Sequence, residues 1–529
     1  MKKNNRKTQV IVVGGGITGL AAALFLTQQG VDFILIEKRG GTSVHPRSRT
    51  IDVRTMEVFR GLRLSTALRE GGKALAPAWG ILHASTLVEA LQTYPGKLMS
   101  PAQLIASNKE VEAFAQQSPE SICRCTQDIS EAIMYEHAVK QGADIRFHHQ
   151  LLSFEQHPHD VTALVQNRLT REEYTITADY MVAADGANSF VRNQLNIPTS
   201  GNGSWTDLLN IYFEADLASL VTGRAFSQLL IETPEITGFL LTINNNDKWA
   251  FHLRYYPENG ETAADYPEEK LKTTLHRILG ITDIKITILK VLPWQLTVRI
   301  AGRQRINRIF LAGDAAHTMT PYAGKGANTG IQDAQNLAWK LAAVLKQQAT
   351  DTLLDTYDTE RQPVGAYYAT LSGELAGKNG LVNDTLLLTK ATELMGLPNF
   401  GYQSSAVKRH TDLPFTYFAG EPGTRVPHIW LDEQQTLSSL DWINGQFVLI
   451  ANGSNNWRAA CEEVRQRLSI DIRLITLTGN GTLEKWKQVT GTTNEDALLI
   501  RPDDFVAARL SVTDNLLNVM QFILGRIDA

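Results

Sequence analysis

Three glycines near the N-terminus have the spacing of a loop that binds a dinucleotide. Gly14-x-Gly16-x-x-Gly19 follows the β-branched run Val10–Val13 and precedes an apolar helical segment. In such a loop the first glycine permits a tight turn, the second lets a diphosphate approach the backbone, and the third allows close packing of helix on strand. The diphosphate would lie at the positive N-terminus of the helix, beside Thr18.

An acidic residue closes the second predicted strand of this unit. The run Phe33–Ile36 ends at Glu37, which lies 18 positions after Gly19. A carboxylate there accepts hydrogen bonds from a ribose diol, so the sequence favours an adenosine without a 2′-phosphate. The neighbouring Lys38 is predicted to belong to the same contact. Strand, loop, helix and second strand together make a βαβ unit of about 30 residues.

A second motif follows a strand that begins near Met181. The strand ends in Asp185-Gly186, and Ser189 and Arg192 follow at the spacing of a helix start. Taken alone, Asp185 would be typical of a turn. Its occurrence together with the N-terminal glycine loop makes coincidence implausible.

A third motif opens the strongest helical pattern of the chain, which predicts a helix over Gly326–Lys346. The strand before it ends in Gly313-Asp314. Backbone N–H groups at the start of a helix stabilise negative charge, and glycines let the backbone come close to a ligand. The motif continues through Pro321 and Gly324 to Gly326, Ala327 and Asn328, and the N–H groups of Gly326 to Asn328 are the ones that we expect at a negatively charged ligand.

The elements that must position these motifs fall into three groups. Up to residue 395, the segments before residue 205 and after residue 300 have the pattern of alternating strands and helices. Residues 205–300 contain strand-like runs separated by polar turns, which predicts an antiparallel sheet. A polar, proline-containing stretch at 396–425 reads as a linker. Beyond it, alternating strands and helices predict a compact third domain of βαβ type.

Composition excludes several classes of protein. The chain has 529 residues, of which 43% are hydrophobic, and its 51 basic and 55 acidic side chains give a net charge of −4. No basic field is present for nucleic-acid binding. Three cysteines, Cys123, Cys125 and Cys461, supply neither a disulfide framework nor a metal site. No metal is expected, and a reducing, cytoplasmic setting fits best.

The N-terminus resembles the start of a signal peptide, because the basic residues of 1–7 precede an apolar run that extends to Leu26. The glycines within that run have the spacing of the nucleotide loop, and no small-residue cleavage site follows. No other apolar run approaches the roughly 18–20 residues that cross a bilayer. We therefore expect a soluble protein without a membrane partner, with the signal peptide as the alternative.

In this order, the three motifs resemble those of the group A FAD-dependent aromatic monooxygenases, which have the para-hydroxybenzoate hydroxylase fold. The resemblance covers about residues 8–395. Residues 423–431 and 500–509 are similar to the start and end of the thioredoxin-like domain, lacking redox cysteines, of the phenol hydroxylase-like and polyketide hydroxylase subgroup. It implies an α/β fold in which a Rossmann-like FAD-binding domain is interleaved with an antiparallel-sheet substrate domain.

The resemblance also implies domain boundaries. The FAD-binding domain would comprise residues 1–195, with an excursion into the substrate domain near 75–110, and residues 291–395. The substrate sheet would comprise 196–290. The linker would be 396–425, and the thioredoxin-like domain 426–529.

Further site residues come from the resemblance alone. Arg47, in His45-Pro-Arg47, matches the family arginine that reaches the cofactor, and Gln127 matches the glutamine beside the flavin ribityl chain. Arg124 is a weaker candidate of the same kind, equally typical of a solvated helix start. For residues already named, the resemblance implies FAD and NAD(P)H binding by Asp185 and Arg192, contact of Asp314 with a ribityl hydroxyl, and a position of Pro321 near the reactive face of the ring. It also implies that FAD is bound by the other residues of the third motif, Gly313, Gly324, Gly326, Ala327 and Asn328.

The activity implied is hydroxylation of a phenolic, polycyclic aromatic through a flavin C4a-hydroperoxide, with FAD as cofactor and NADPH or NADH and O2 as co-substrates. Baeyer–Villiger insertion, antibiotic inactivation, a flavin oxidase or dehydrogenase, and a non-catalytic flavin-binding protein are the alternatives. The Trp-x-Trp-x-Ile-Pro signature of halogenases is absent. Either a monomer or a homodimer is compatible with the sequence.

Aromatic residues of the sheet region are the candidates for substrate contact: Tyr212, Phe226, Phe239 and Trp294. The family loop usually reads Pro-x-Gly-Gly-x-Gly-x-Asn, and here Ala323 and Lys325 depart from it. An added methyl and a cation near the ring are expected to affect substrate approach or flavin mobility. His317 is expected to be a capping or packing residue rather than a base.

Overall fold

The computed structural model describes residues 5–94, 103, 106–377, 380–409, 411–453, 457–479 and 481–527. Within these, the strands are β1 (Asn5–Val13), β2 (Phe33–Glu37), β3 (Thr50–Ile51), β4 (Ile81–His83), β5 (Cys123–Arg124), β6 (Asp144–Phe147), β7 (His149–Gln156), β8 (Val161–Asn167), β9 (Glu173–Ala183), β10 (Thr199–Glu214), β11 (Gln228–Glu232), β12 (Thr237–Thr242), β13 (Lys248–Tyr255), β14 (Thr287–Ala301), β15 (Arg305–Ile306), β16 (Ile309–Leu311), β17 (His317–Thr318), β18 (Phe447–Asn452), β19 (Ile472–Leu477), β20 (Ala497–Ile500) and β21 (Val506–Leu510). The helices are α1 (Ile17–Gln28), α2 (Val53–Gly61), α3 (Ser65–Gly71), α4 (Leu87–Thr93), α5 (Lys109–Ala115), α6 (Gln127–Lys140), α7 (Phe190–Gln194), α8 (Ala218–Val221), α9 (Glu268–Leu279), α10 (Gly326–Leu345), α11 (Thr352–Leu375), α12 (Asp384–Thr389), α13 (Ala391–Met395), α14 (Trp457–Leu468), α15 (Thr482–Thr490) and α16 (Leu516–Ile523).

The first sheet carries the glycine loop. Its strand order is β15-β16-β9-β1-β2-β6, and the hairpin β7–β8 joins it through β9. Strands β16, β9, β1, β2 and β6 run parallel to their neighbours in that order. The carboxyl-terminal half of β1 and all of β2 are buried on both faces, so their sequences there are continuous apolar runs instead of alternating ones. Helices α1 and α10 pack on one face of this sheet.

The second sheet has the order β17-β14-β10-β13-β12-β11-β4 and is antiparallel except for the β11–β4 pair. Alternation along β10 sends Leu209 and Ile211 to one face, where α4 and α9 cover them. Leu208 and Tyr212 point to the other face, toward α11 and the loop around Tyr322. Strand β14 pairs with β10 as far as Ala301, so the sheet extends beyond residue 290.

The third sheet has the order β19-β18-β20-β21. With α14, α15 and α16 it forms the β-α-β-α-β-β-α sequence of a thioredoxin-like domain, in which β18 and β19 are parallel and β20 and β21 antiparallel. Cys461, on α14, is the only cysteine of this part of the chain. The predicted fold class, an α/β chain with an interleaved antiparallel sheet and this third domain, is confirmed.

Segment 396–425, predicted as a linker, packs against both neighbouring regions. Tyr402 is buried, its ring centroid lies 4.2 Å from that of Phe505, and its hydroxyl accepts a hydrogen bond of 3.1 Å from Arg361 on α11. Ser404 donates to Glu360 of the same helix at 2.6 Å. The segment therefore connects the thioredoxin-like domain to the rest of the chain through specific contacts.

Candidate active site

Three loops meet at the carboxyl edge of the first sheet. They follow β1, β9 and β16, which are adjacent and parallel, with Val13 opposite Ala183 and Ala183 opposite Leu311. Ligands of open α/β sheets bind at this edge. The three motifs predicted from the sequence therefore lie side by side, although they are far apart in the chain.

Close packing requires the outer glycines of the first loop. Gly14 has a φ of +104°, and a β-carbon there would collide with the carbonyl oxygen of Ala184. A β-carbon at Gly19 would collide with the carbonyl oxygen of Gly14. Thr18 is buried against the β16 loop, where a β-carbon at Gly313 would meet its hydroxyl. Thr18 therefore joins α1 to the third motif.

Gly16 has space that the other two glycines lack. Among the described residues, only Oε1 of Glu131 lies within 4 Å of a β-carbon position at Gly16, at 3.8 Å. Gly16 is the N-cap of α1, whose first turn contains no acidic residue. The N–H groups and the dipole of the helix face this space, which suits a diphosphate. The residues present thus fit the ADP half of FAD.

Glu131, to which the sequence analysis gave no role, stands beside this helix start. Its carboxylate accepts hydrogen bonds from Gln127 Nε2 at 2.6 Å and from the Ser43 N–H at 2.7 Å. Burial raises its pKa, although these hydrogen bonds act in the opposite direction. The position of Glu131 one helical turn after Gln127 is the signal that could have identified it.

Glu37 lies at the end of β2, next to the same loop. It is 7% exposed, and its carboxylate accepts the N–H of Gly15 at 2.7 Å and that of Arg39 at 2.8 Å. These bonds hold the glycine loop against β2, and the ribose contact stays a prediction. Lys38 is exposed beside it.

The second motif lies between the first and the third. Asp185 accepts the N–H of Val191 at 3.1 Å, while its other carboxylate oxygen is buried with no partner among the described residues. Arg192 is buried and donates to the carbonyl oxygens of Ala315 at 3.0 Å and Ala187 at 2.9 Å. Arg192 thereby ties the second motif to the third, a role that its predicted contact with FAD or NAD(P)H did not include.

Asp314 faces the cleft between the three loops. Its side chain opens to the cleft, where Oδ1 lies 3.6 Å from a β-carbon position at Gly326. The surrounding loops partly desolvate the carboxylate, which raises its pKa. Behind it, Asp333 accepts hydrogen bonds from His317 at 2.7 Å and from the Gly313 N–H at 3.0 Å. His317 is fully buried in this contact, which makes it a packing residue.

The third loop is fixed by buried polar contacts. Lys325 forms an ion pair of 2.9 Å with Asp52, and both side chains are almost fully buried. Asn328 is also buried, and it donates to the carbonyl oxygens of Thr50 and Gly324. The charge of Lys325 is thus neutralised inside the protein instead of being presented to the ring. Pro321 is exposed, and Gly326 and Ala327 are partly exposed at the start of α10.

Two of the remaining candidates lie at the same cleft. Arg47 is exposed as a whole residue, but part of its side chain is buried, and this burial lowers its pKa. The charges of Asp314 and Glu131 act in the opposite direction, which shows that both carboxylates are near the guanidinium. Gln127 begins α6, where its side chain bonds Glu131. Arg124 is instead mostly buried: its guanidinium lies 4.3 Å above the ring of Trp79 and reaches the second sheet. It is not the solvated arginine that the sequence left open.

The face of the second sheet that points to the third loop is aromatic. Phe239 stacks on His252 with ring centroids 4.4 Å apart, and its edge meets Tyr322 of the loop at 5.9 Å. Trp294 lies against His252 at 5.2 Å, and Tyr212 against His45 at 5.6 Å. Three of the four predicted substrate residues, Tyr212, Phe239 and Trp294, share this face.

Phe226 does not share it. Its ring is fully buried in the core on the opposite face of the sheet, stacked on Trp249 at 6.1 Å. Phe226 precedes β11, so strand alternation gave no information on its side. The structure corrects its prediction as a substrate residue. His252 lies on the face that points to the third loop, where it stacks on Phe239. A single histidine within a strand pattern gave no indication of which face it would occupy.

Known families cover most of the chain. Residues 7–372 match the family described as FAD binding domain, and residues 419–526 match the one described as aromatic-ring hydroxylase, C-terminal. The chain belongs to the FAD-dependent aromatic-ring hydroxylases. This hydroxylase is an FAD-dependent monooxygenase, as the resemblance of its three motifs implied.

Individual relatives extend over the full length of the hydroxylase. The tetracenomycin A2 monooxygenase-dioxygenase of Streptomyces glaucescens is 35% identical, with 96% of this chain and 94% of the relative covered. The aklavinone 12-hydroxylase of Streptomyces purpurascens is 32% identical, with 96% of each covered. A solved ternary complex of aklavinone-11 hydroxylase with FAD and aklavinone superimposes with a TM-score of 0.84 at 28% identity, covering 99% of this chain and 100% of that one.

Among the described residues of the hydroxylase, none of the helices has the length and apolar character that crossing a membrane requires.

Proposed function

We propose that this hydroxylase transfers one oxygen atom of O2 to a phenolic, polycyclic aromatic of the polyketide type, with NADPH or NADH as the reductant. The observation that carries this proposal is the aromatic face of the second sheet, which lies opposite the loop at the start of α10. Planar aromatic ligands stack on such faces. Relatives named for tetracenomycin and aklavinone chemistry support a polycyclic substrate.

Buried polar atoms on the same face indicate that the ligand is rich in oxygen. Five side-chain atoms there have no hydrogen-bond partner among the described residues. They are Thr206 Oγ1, Asn210 Oδ1, Gln228 Nε2, His252 Nδ1 and Trp294 Nε1. A buried polar atom without a partner costs free energy, so hydroxyl and carbonyl groups of a substrate are the partners that would satisfy these atoms. A plain hydrocarbon would leave them unsatisfied.

His252 has one ring nitrogen, Nδ1, that is buried without a partner among the described residues. Burial lowers the pKa of His252 well below the ordinary value, and the charge of Arg49 acts in the same direction. These effects favour the neutral imidazole, in which Nδ1 either donates one hydrogen bond or accepts one. Stacked on Phe239, its ring is held in one orientation, so it can fix a substrate hydroxyl in place.

When bound, FAD would supply hydride acceptance and oxygen activation. The chain's own contribution is to hold it, through Gly14, Gly16, Gly19, Glu37, Gln127, Asp185 and Asp314 and the N–H groups of residues 326–328. Those N–H groups stabilise negative charge that develops on the cofactor. The aromatic face opposite this loop would limit the water in contact with a bound ligand.

Localisation, oligomeric state and domain boundaries complete the proposal. We place the protein in the cytoplasm, as a monomer or homodimer that interacts with small molecules. The domain boundaries at residues 195, 290, 395 and 425 stay as proposed, with β14 crossing the second of them. The contacts of residues 396–425 support a tightly connected third domain.

Anaerobic reduction of the FAD-loaded enzyme by NADPH tests the proposed function. A polycyclic phenol such as 1,8-dihydroxyanthraquinone should accelerate bleaching of the flavin at least about tenfold, because an enzyme whose reduction waits for the substrate avoids wasteful oxidation of NADPH. Readmitted ¹⁸O2 should then place one labelled oxygen in the product. Equally fast reduction with and without any aromatic, and no label, would identify an oxidase instead. Label in a ring-expanded lactone would identify Baeyer–Villiger insertion.

A pair of substitutions tests the assignment of the two sheet faces. Trp294→Leu should weaken binding of the phenol about tenfold, because a stacking surface on the substrate face is lost. Phe226→Leu, on the opposite face, should lower the unfolding free energy by about 1–2 kcal/mol with binding unchanged. The measurements are a titration of flavin absorbance with the phenol and urea unfolding. Equal effects of the two variants on binding would contradict the assignment.

A further inference from the structure

Two arginines meet between the small sheet β3–β5 and the second sheet. Arg49 Nη1 donates to the carbonyl oxygens of Ser227 at 3.1 Å and Thr242 at 2.8 Å. Arg124 Nη1 donates to Thr50 Oγ1 at 2.9 Å. Both guanidinium groups also reach the hydroxyl of Ser227, at 3.4 Å and 3.1 Å. Two positive charges thus share neutral acceptors.

No carboxylate among the described residues forms an ion pair with either of them. The four most deeply buried arginines of the chain all have such a partner: Arg54 with Glu57 and Asp504, Arg361 with Asp333, Arg425 with Glu57, and Arg501 with Glu360 and Asp503. Arg49 and Arg124, which are less deeply buried, have no such partner. Arg192 is the one other buried arginine without an ion pair among the described residues, and the carbonyl oxygens of Ala315 and Ala187 accept its hydrogen bonds. Burial lowers the pKa of Arg49 to about 9, with a further contribution from Arg124, and burial lowers that of Arg124 to about 10.

A charge that is buried without a counter-ion is costly unless a partner is supplied. Both side chains also keep free donors. A guanidinium carries five N–H groups, and Arg124 uses two of them in the hydrogen bonds described, while its Nε is buried and has no partner. The pair therefore has positive charge without an ion-pair partner and N–H groups without acceptors, and together these suit an anion.

The pair lies beside the face assigned to the substrate. Arg49 donates a hydrogen bond to Ser227, the residue before Gln228, and the charge of Arg49 lowers the pKa of His252. Thr50, which holds Arg124, lies 3.9 Å from a β-carbon position at Gly324 of the third loop. The ring of Trp79 covers one side of the Arg124 guanidinium, at 4.3 Å. The free donors are thus next to the space between sheet and loop.

We propose that Arg49 and Arg124 bind an anionic oxygen, phenolate or carboxylate, of the aromatic substrate. This inference rests on the proposed function, because it places that anion on a ligand of the aromatic face. A charged acceptor forms shorter and stronger hydrogen bonds with guanidinium groups than a neutral one. An ionised phenol is also richer in electrons, which favours attack on an electrophilic oxygen. The pair selects the ionised form and holds it in one orientation.

Binding of matched charged and neutral probes to the FAD-loaded enzyme tests the inference. The carboxylate arm compares 2-naphthoate with its methyl ester, and the phenolate arm compares 2,4-dinitro-1-naphtholate with its methyl ether. Dissociation constants come from titration of the flavin absorbance at pH 7. Wild type should bind at least one anion about tenfold or more tightly than its neutral twin, the preference expected from a charge-assisted hydrogen bond. The arm that shows the preference identifies the oxygen.

Variants then assign the preference to these residues. Arg49→Gln and Arg124→Gln should each remove most of the preference for the anion. The affinity for the anionic probe should fall, while the dissociation constant of the neutral probe should change less than about threefold. Arg49→Lys, which keeps the charge, should retain part of it and serves where a glutamine variant does not fold. Arg224→Gln is the matched control, since Arg224 also donates only to neutral acceptors among the described residues, the carbonyl oxygens of Leu91 and Leu220. The Arg224→Gln variant should prefer the anionic probe over the neutral one to the same extent as wild type.

The remaining outcomes separate the two proposals. Equal binding of charged and neutral probes to wild type would overturn the anion site and leave the aromatic pocket in place. A loss of FAD affinity in the glutamine variants with an unchanged anion preference would also overturn it, because the pair would then serve the cofactor. Failure of wild type to bind any of the four probes would count against the proposed function itself.

Discussion

Replacing Gly16 with alanine is expected to weaken FAD binding more than ~100-fold while the melting temperature of the apoprotein stays within about 1 °C of wild type. Gly16 has a φ of −77° and a ψ of −174°, which alanine adopts without strain. Its β-carbon would meet only Glu131 Oε1 among the described residues, at 3.8 Å. The added methyl therefore leaves the fold alone and fills the space through which a diphosphate reaches the N–H groups of α1.

Titration of the apoprotein with FAD, followed by flavin fluorescence, measures the affinity, and a thermal melt measures the fold. Gly19→Ala is the matched control in the same loop. Its methyl would collide with the carbonyl oxygen of Gly14, so this variant should lose thermal stability with or without FAD. If Gly16→Ala bound FAD as tightly as wild type, the diphosphate would have to lie elsewhere.

The sequence predicted the cofactor side of the site because each of its motifs is contiguous. The glycine loop, Asp185-Gly186 and Gly313-Asp314 each carry their own strand and turn. Their meeting at one edge follows from the parallel pairing of three strands. No long-range information beyond that pairing was needed.

The substrate side could not be predicted in the same way. Arg49 reaches its acceptors Ser227 and Thr242 across 178 and 193 positions of the chain, and no local pattern announces such contacts. Lys325 was expected as a cation near the ring, but Asp52, far away in sequence, neutralises it. Alternation in a strand separates two faces without saying which one meets the cofactor. Phe226 lies before β11, outside any strand, so alternation did not assign its side chain to a face at all.

Glu360→Gln is expected to lower the unfolding free energy by about 3–5 kcal/mol, the usual cost of removing one partner from a buried ion pair. Glu360 lies on α11 and is fully buried between Arg501 of the thioredoxin-like domain, at 2.6 and 2.8 Å, and Lys340 of α10, at 2.8 Å. Glutamine would leave Lys340 without an ion-pair partner among the described residues, and Arg501 with Asp503 alone. Urea unfolding at pH 7 measures the loss.

Glu235→Gln is the control for that measurement. Its ion pair with Arg277 has the same length, 2.8 Å, but both side chains are 57% exposed, so the expected loss is below about 1 kcal/mol. A comparable loss in the two variants would show that burial of Glu360 does not determine its contribution.

The dependence on pH distinguishes the charge of Glu360 from its shape. Burial alone would raise the pKa of Glu360, but the charges of Arg501 and Lys340 outweigh burial and hold it well below the ordinary value. A depressed pKa contributes stability that is complete above the unfolded-state pKa, near about 4.3, and declines as the pH falls below it. Glu360→Gln has no such group to protonate. The difference in unfolding free energy between wild type and Glu360→Gln should therefore narrow between pH 5 and about pH 3, and a difference that stayed constant would assign the effect to packing instead of charge.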